Sequence, residues 1–216
     1  MESIEIFPPL DAVAGVSALF IGRFPNIDVA VEREEAMERL RPLQQARLVQ
    51  EGLADFPLVT AEQIHGSEVA WVTQPSSFPV PGVDGLVTTT RGITLGISVA
   101  DCAPVWLVTR DGSAGALLHS GKKGTELGIV SAGIRALCSE GNYHPSDLIM
   151  VIGPFIRPPC YDVDFASDIH RQGTTAGVLE IHDQGICTAC HPERYYSYRR
   201  EKGLTGRMLA TLTLHP

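Results

Sequence analysis

Two histidines and one cysteine stand where turns and strand ends could aim them at a common point. His65 lies in Gln63-Ile64-His65-Gly66, Cys102 follows a buried apolar run that starts at Thr94, and His119 closes the next such run. Two imidazoles and a thiolate are a good donor set for zinc. Three protein ligands leave the fourth tetrahedral position for water, which is the catalytic rather than the structural pattern. Taken singly, a cysteine is more often a small hydrophobe, and a histidine before a glycine is more often a plain turn residue. Asp101 beside Cys102 and the strand-end setting shift the balance, because sites on layered α/β folds gather at strand ends.

His119 runs into Ser120-Gly121-Lys122-Lys123-Gly124. A glycine-rich turn entering a helix offers free backbone N–H groups and the positive end of the helix dipole to an anion, and Lys122 and Lys123 add charge. The glycine spacing is not that of the phosphate loop of nucleotide triphosphatases. Further on, Tyr195-Tyr196-Ser197-Tyr198-Arg199-Arg200 sets two arginines beside three tyrosines. Such a group can stack on a base and bind phosphate, or simply cover surface aromatics. Cys187-Thr188-Ala189-Cys190 is one C-x-x-C with no second pair to complete a four-cysteine zinc site, and it reads as structural.

The elements that must position these residues read mainly as strands. Short apolar pieces predict strands at Ile4–Phe7, Val16–Ile21, Leu58–Thr60, Glu68–Thr73, Leu86–Thr88 and Thr94–Ala100. Val105–Thr109 and Ala114–Leu118 form a hairpin around Arg110-Asp111-Gly112-Ser113, and Leu148–Ile152 is another buried strand. Pro104 is expected to take the chain out of regular pairing. Val31–Gly52 predicts one helix, or two meeting at Pro42, with a solvated charged face and no assigned role. Helices are also predicted over Leu127–Leu137 and Asp164–Arg171, Glu180–Ile181 opens a loop region, and Met208–Leu214 closes as a strand or short helix.

The chain has 216 residues, enough for one full core, and reads as a single domain over 1–216. A formal charge of −8 argues against nonspecific nucleic-acid binding while leaving room for a small anion held by local cations. No apolar run reaches membrane-spanning length and no secretory signal is evident. Five cysteines, an odd number, do not make a disulfide framework, so a reducing, cytoplasmic setting is expected.

The phrases QIHG, DGLVTT, SVADCAPVWL, LLHSG, IGPFIRPPCYDV, CTAC and SYRREKGLTGRM, in this order, resemble the YfiH-type family, also called laccase-domain or polyphenol oxidase proteins and including multifunctional purine nucleoside enzymes. The resemblance runs from about Gln63 to Leu212. It implies an α/β fold, a layered sandwich of mixed β-sheets covered by helices and shared with certain cysteine-dependent toxin domains. It also implies that His65, Cys102 and His119 are the metal-binding and catalytic trio. Three departures stand out. Lys122 and Lys123 replace a tryptophan and an arginine, Asp162 replaces a glutamate after Cys-Tyr, and only Gly22-Arg23 matches an otherwise eroded N-terminal segment.

The expected function is a zinc-dependent purine nucleoside enzyme that deaminates adenosine, cleaves adenosine, inosine or methylthioadenosine with phosphate, or does both. Zinc would lower the pKa of its water and supply hydroxide for attack at the purine C6 amine. Asp101 would orient a ligand or move protons, and Gln63, Lys122, Lys123, Arg199 and Arg200 would bind nucleoside or phosphate. Zinc is preferred to copper, because typical multicopper sites use His-x-His pairs and none occurs among the seven histidines. Copper-dependent phenol oxidation, hydrolysis with Cys102 as nucleophile and His119 or His65 as base, and a non-catalytic binding protein on an eroded enzyme scaffold are the alternatives.

Overall fold

The structure, a computed structural model, describes residues 4–216; Met1 to Ser3, the start of the N-terminal stretch read above, lie outside the described residues. In chain order the strands are β1 (Ile4–Ile6), β2 (Val16–Ile21), β3 (Leu58–Thr60), β4 (Val69–Trp71), β5 (Gly85–Thr88), β6 (Thr94–Val99), β7 (Ala103–Thr109), β8 (Gly115–Ser120), β9 (Leu148–Ile152), β10 (Glu180–Asp183) and β11 (Met208–Leu214). The α-helices are α1 (Pro8–Asp11), α2 (Arg33–Gln50), α3 (Lys122–Glu126), α4 (Ile129–Arg135) and α5 (Ala166–Ala176). One sheet has the order β1-β2-β11-β6-β3 and the other β10-β9-β7-β8-β5-β4. Both are mixed: β3 runs parallel to β6, β4 to β5 and β10 to β9, and the remaining pairs are antiparallel. The layered α/β sandwich expected from the resemblance is the fold observed.

Strand β7 shows why the sheets stack. All seven residues of APVWLVT are buried, so the strand has no wet face, and its side chains alternate between two cores. Val105 and Leu107 meet Ile129, Val130 and Ile134 of α4 and Ile169 of α5, whereas Trp106 and Val108 face the core shared with Leu95, Ile97 and Leu212 of the first sheet. Helix α2 adds Ala36, Leu40 and Leu48 to that same core.

Several boundaries differ from the sequence expectation. Of the two readings of Val31–Gly52 the single helix is the one formed, with narrower ends at Arg33 and Gln50; it runs unbroken through Pro42, which is exposed, so the missing backbone hydrogen bond falls on the solvated side. The helix expected at Leu127 begins at Lys122 and is split by Gly128, whose φ of 86° ends α3 and starts α4. The loop expected from Glu180 is instead the edge strand β10, paired in parallel with β9. Pro104 does not end pairing. It is the second residue of β7, opposite His119, a position near a strand start that tolerates the missing donor.

The chain passes from the first sheet to the second twice, from β3 to β4 and from β6 to β7. The second crossing uses only Ala100, Asp101 and Cys102. A turn this tight forces Asp101 to a φ of 81°. Trp106 also ties the sheets together, because its indole N–H donates to the Thr211 carbonyl of β11 at 2.9 Å. Trp106→Ala is expected to cost about 3–5 kcal/mol, and Trp106→Phe, which keeps the ring and loses the bond, about 1–3 kcal/mol. Urea unfolding of the two variants checks both values.

Candidate active site

Both sheet crossings deliver a candidate ligand. His65 sits between β3 and β4 with a φ of 61°, and Cys102 sits between β6 and β7. His119 comes from β8 itself and is only 3% exposed. A ligand atom from each of the three lies within 4.8 Å of the other two, and the histidine rings stand edge to face with centroids 4.9 Å apart. Zinc bonds of about 2.0–2.3 Å place tetrahedral donors roughly 3.3–3.8 Å apart, so slight closure of side chains suffices. Gly121 leaves the room: a Cβ there would fall 2.7 Å from the Cys102 sulfur and 3.4 Å from the His65 ring. By donor chemistry and by space, these residues fit a metal ion.

Asp84 organises the trio. Wholly buried, its Oδ1 meets His119 Nδ1 at 2.8 Å and accepts the His65 backbone N–H at 2.9 Å. Its Oδ2 accepts the backbone N–H groups of Gly66 at 2.7 Å and Ile64 at 3.2 Å. One carboxylate therefore fixes the loop that carries His65 and leaves the other nitrogen of His119 for a ligand, the usual support for a metal-binding imidazole. Burial pushes the Asp84 carboxyl up, but the bonds from His119 and Gly66 outweigh it and hold the group below its ordinary value.

Charge is equally tuned at Cys102. Burial pushes its thiol up, yet the charge and hydrogen bond of His119 and the hydrogen bond of His65 bring it from 9.0 down to about 6. Burial pulls His119 down, while Cys102 and Asp84 together raise it to about 9. Each shift draws on the charge of the other group, so in direction the two environments favour a thiolate beside an imidazolium.

The trio opens into a cavity of about 1040 Å³. Of the residues assigned to substrate, Gln63, Lys122 and Arg199 line it. Lys123 and Arg200 are not in the lining, and the Arg200 guanidinium instead donates to the Ala189 carbonyl. The Gln63 side chain is doubly bonded to the Ser98 backbone, at 2.6 and 2.9 Å, and extends the β3–β6 ladder past the end of β3. Asp101 also lines the cavity, but its oxygens are committed to the hydroxyls of Thr188 (2.7 Å) and Ser197 (3.0 Å) and the Arg199 N–H (2.7 Å). Its visible task is to hold the Ser197–Arg199 segment against the cavity. Tyr195 and Tyr196 are core residues, and only Tyr198 of the three tyrosines reaches the cavity. Arg23 lies elsewhere, bonded to Glu201 at 2.5 Å.

Sequence reasoning missed Asp84 and Arg33. The signal for Asp84 was the DGLVTT phrase, already part of the resemblance. Arg33 opens α2, whose charge alternation gave no hint of a role. Arg207 lines the cavity with its guanidinium on the Thr205 and Gly206 carbonyls, and burial together with the nearby charge of Arg33 draws it below the ordinary guanidinium value.

A family model described as "Multi-copper polyphenol oxidoreductase laccase" matches residues 15–172 and 163–215. The chain belongs to this family. Within it, the chain is 32% identical to the protein named purine nucleoside phosphorylase YlmD of Geobacillus stearothermophilus, over 94% of this chain and 90% of that one. It is 30% identical to ORF3 of Streptomyces griseus, also named a purine nucleoside phosphorylase, over 92% and 89%. The crystal structure of YlmD from Geobacillus stearothermophilus superposes with a TM-score of 0.82 at 27% identity, covering 97% of this chain and 94% of that chain. That of Bacillus licheniformis YfiH superposes at 0.86 and 22% identity, covering 98% and 96%, and shares the fold. The YfiH-type resemblance drawn from the motifs is borne out.

Two outcomes are expected at this laccase-family site. In chelator-stripped protein, alkylation of Cys102 by iodoacetamide should stay fast down to about pH 6 and fall below it, as the thiolate takes up a proton. An ordinary thiol already slows as pH drops through 9.0, so peptide mapping of the rate against pH separates the two. Asp84→Asn should weaken metal binding by about 10–100-fold, measured by competition with a chromophoric chelator.

Proposed function

We propose that the chain is a metal-dependent purine nucleoside phosphorylase, with zinc held by His65, Cys102 and His119. The supporting observation is the joining of that trio to a cavity lined by Arg33, Lys122, Arg199, Lys202 and Arg207, in a chain whose net charge is −8. Such a concentration of cations suits inorganic phosphate, and the relatives named above carry the phosphorylase name. Phosphorolysis replaces the bond from ribose C1′ to the purine nitrogen with a C1′–oxygen bond to phosphate.

The chain's own groups divide the work. Arg207 is the leading phosphate ligand, because an anion would relieve a guanidinium that is half-buried and repelled by Arg33. Tyr161, Phe165 and Tyr198 are the cavity-lining aromatics we assign to the purine. Asp84 keeps His119 in one orientation, and the Asp101 bonds keep Tyr198 and Arg199 at the rim. Zinc bound to the trio would act as a Lewis acid and lower the pKa of a coordinated water. That second property would also serve adenosine deamination.

A second reading has its own support. Without metal, Cys102, His119 and Asp84 form a thiolate–imidazolium pair backed by a carboxylate, the arrangement of a thiol nucleophile. Inosine, adenosine and methylthioadenosine, each assayed with and without phosphate, before and after chelation and zinc return, separate the possibilities. Phosphate-dependent release of free base that chelation abolishes and zinc restores is the expected result. Ammonia released from adenosine without phosphate would add the deaminase activity, and full activity after chelation would favour the thiol reading. Arg207→Ala should raise the KM for phosphate at least tenfold with little change in the KM for nucleoside. Equal effects on both would remove Arg207 from the phosphate site.

A further inference from the structure

Three other sulfur atoms converge outside the cavity. Cys187 and Cys190 come from the C-x-x-C turn after β10, and Cys160 comes from the proline-rich loop after β9. Their sulfurs all lie within 4.8 Å of one another, and Cys160 and Cys190 are 3.3 Å apart. None of the three lines the cavity. The isolated C-x-x-C therefore has a third thiol partner, supplied thirty residues upstream.

The Arg157 backbone N–H points at the Cys187 sulfur at 3.4 Å, and the same sulfur faces the Arg157 carbonyl at 3.7 Å. Cys187 is buried and Cys190 exposed, so one side of the cluster is open to solvent. His191, the neighbour in sequence, turns toward Glu193 at 3.6 Å and leaves that open side to water.

We propose that Cys160, Cys187 and Cys190 bind a thiophilic d10 cation, Zn2+ or Cu+, as a second metal site separate from the His65–Cys102–His119 trio. Soft thiolates select such ions. Tetrahedral zinc–sulfur bonds of about 2.3 Å set sulfurs roughly 3.8 Å apart, so the closest pair needs to open by only about half an ångström. Each thiol releases its proton to solvent as it binds. The bound ion staples the Cys160 loop to the Cys187–Cys190 turn. Next to that staple are Tyr161 on the cavity wall and Thr188, whose hydroxyl donates to Asp101 at 2.7 Å. The site therefore acts as a clamp on the side of the cavity that Asp101 organises.

The test removes the first site and asks whether a second remains. Full-length Cys102→Ser and His65→Ala proteins are purified under reducing conditions, loaded with Zn2+ or Cu+ in separate arms, desalted and analysed for metal. Each should retain roughly one equivalent of the preferred ion, and adding Cys160→Ser or Cys190→Ser should abolish it. Cobalt substitution gives a second readout: intense thiolate-to-cobalt absorption should persist in Cys102→Ser and vanish in Cys102→Ser/Cys190→Ser. Circular dichroism confirms that the variants are folded, and Cys190, being exposed, tolerates serine. Three results would overturn the proposal: no retained metal in the trio variants, metal content indifferent to Cys160 and Cys190, or a Cys160–Cys190 disulfide in the intact mass of freshly purified protein. Because the readout is metal in proteins lacking the trio, it stands or falls independently of the phosphorylase reading.

Discussion

A single buried carboxylate constrains this molecule more than any other group. An ionised aspartate out of water is tolerated only when donors replace its hydration, and Asp84 collects them from residues 18 to 35 positions away. The His65 loop wraps around it because three successive backbone N–H groups have nowhere better to point. His119 is fixed because its Nδ1 is already taken. The same bonds that satisfy the charge therefore set the ligand geometry, and the site cannot be distorted without exposing or orphaning that carboxylate.

The site also lies where the two sheets exchange the chain, which explains its backbone. Gln63, His65 and Asp101 all have positive φ, at 64°, 61° and 81°. Left-handed conformations of non-glycine residues cost of order 1 kcal/mol or more each and persist only when their surroundings over-determine them. Here the side chains of the strained residues repay part of the cost: Gln63 completes a strand ladder and Asp101 gathers the Ser197–Arg199 segment. Strain, ladder and charge network converge on a volume a few side chains wide.

How much of this was legible in the sequence follows the range of the interactions. The strands Val16–Ile21, Thr94–Val99 and Leu148–Ile152 announce themselves because all their residues but the half-buried Ser17 and Ser98 are buried in apolar layers. The trio was legible from residue type, strand-end position and motif order. Strand β10 was not, because Glu-Ile-His-Asp on a sheet edge has no apolar run to betray it. Helix α3 was hidden because a five-residue helix split off by Gly128 has no room for a periodic face. Asp84 and Arg33 escaped because their roles are set by partners distant in sequence: the DGLVTT phrase holds Asp84 but does not tie its carboxylate to the His65 loop or to His119. Lys123 and Arg200 were over-read in the opposite sense, since a neighbour one residue along a helix or turn points elsewhere.

The position of β11 at the centre of the first sheet has a consequence for biogenesis. β2 and β6 do not pair with each other; both pair with β11, so Ile21 and Ser98 must wait for Leu209 to leave the ribosome. At about 5–20 residues per second, the nascent chain holds the open edge of β2 unpaired for roughly ten to forty seconds. During that interval the apolar Val16–Ile21 segment is a natural chaperone client, and the second sheet, whose strands are all made before β11, is free to assemble first.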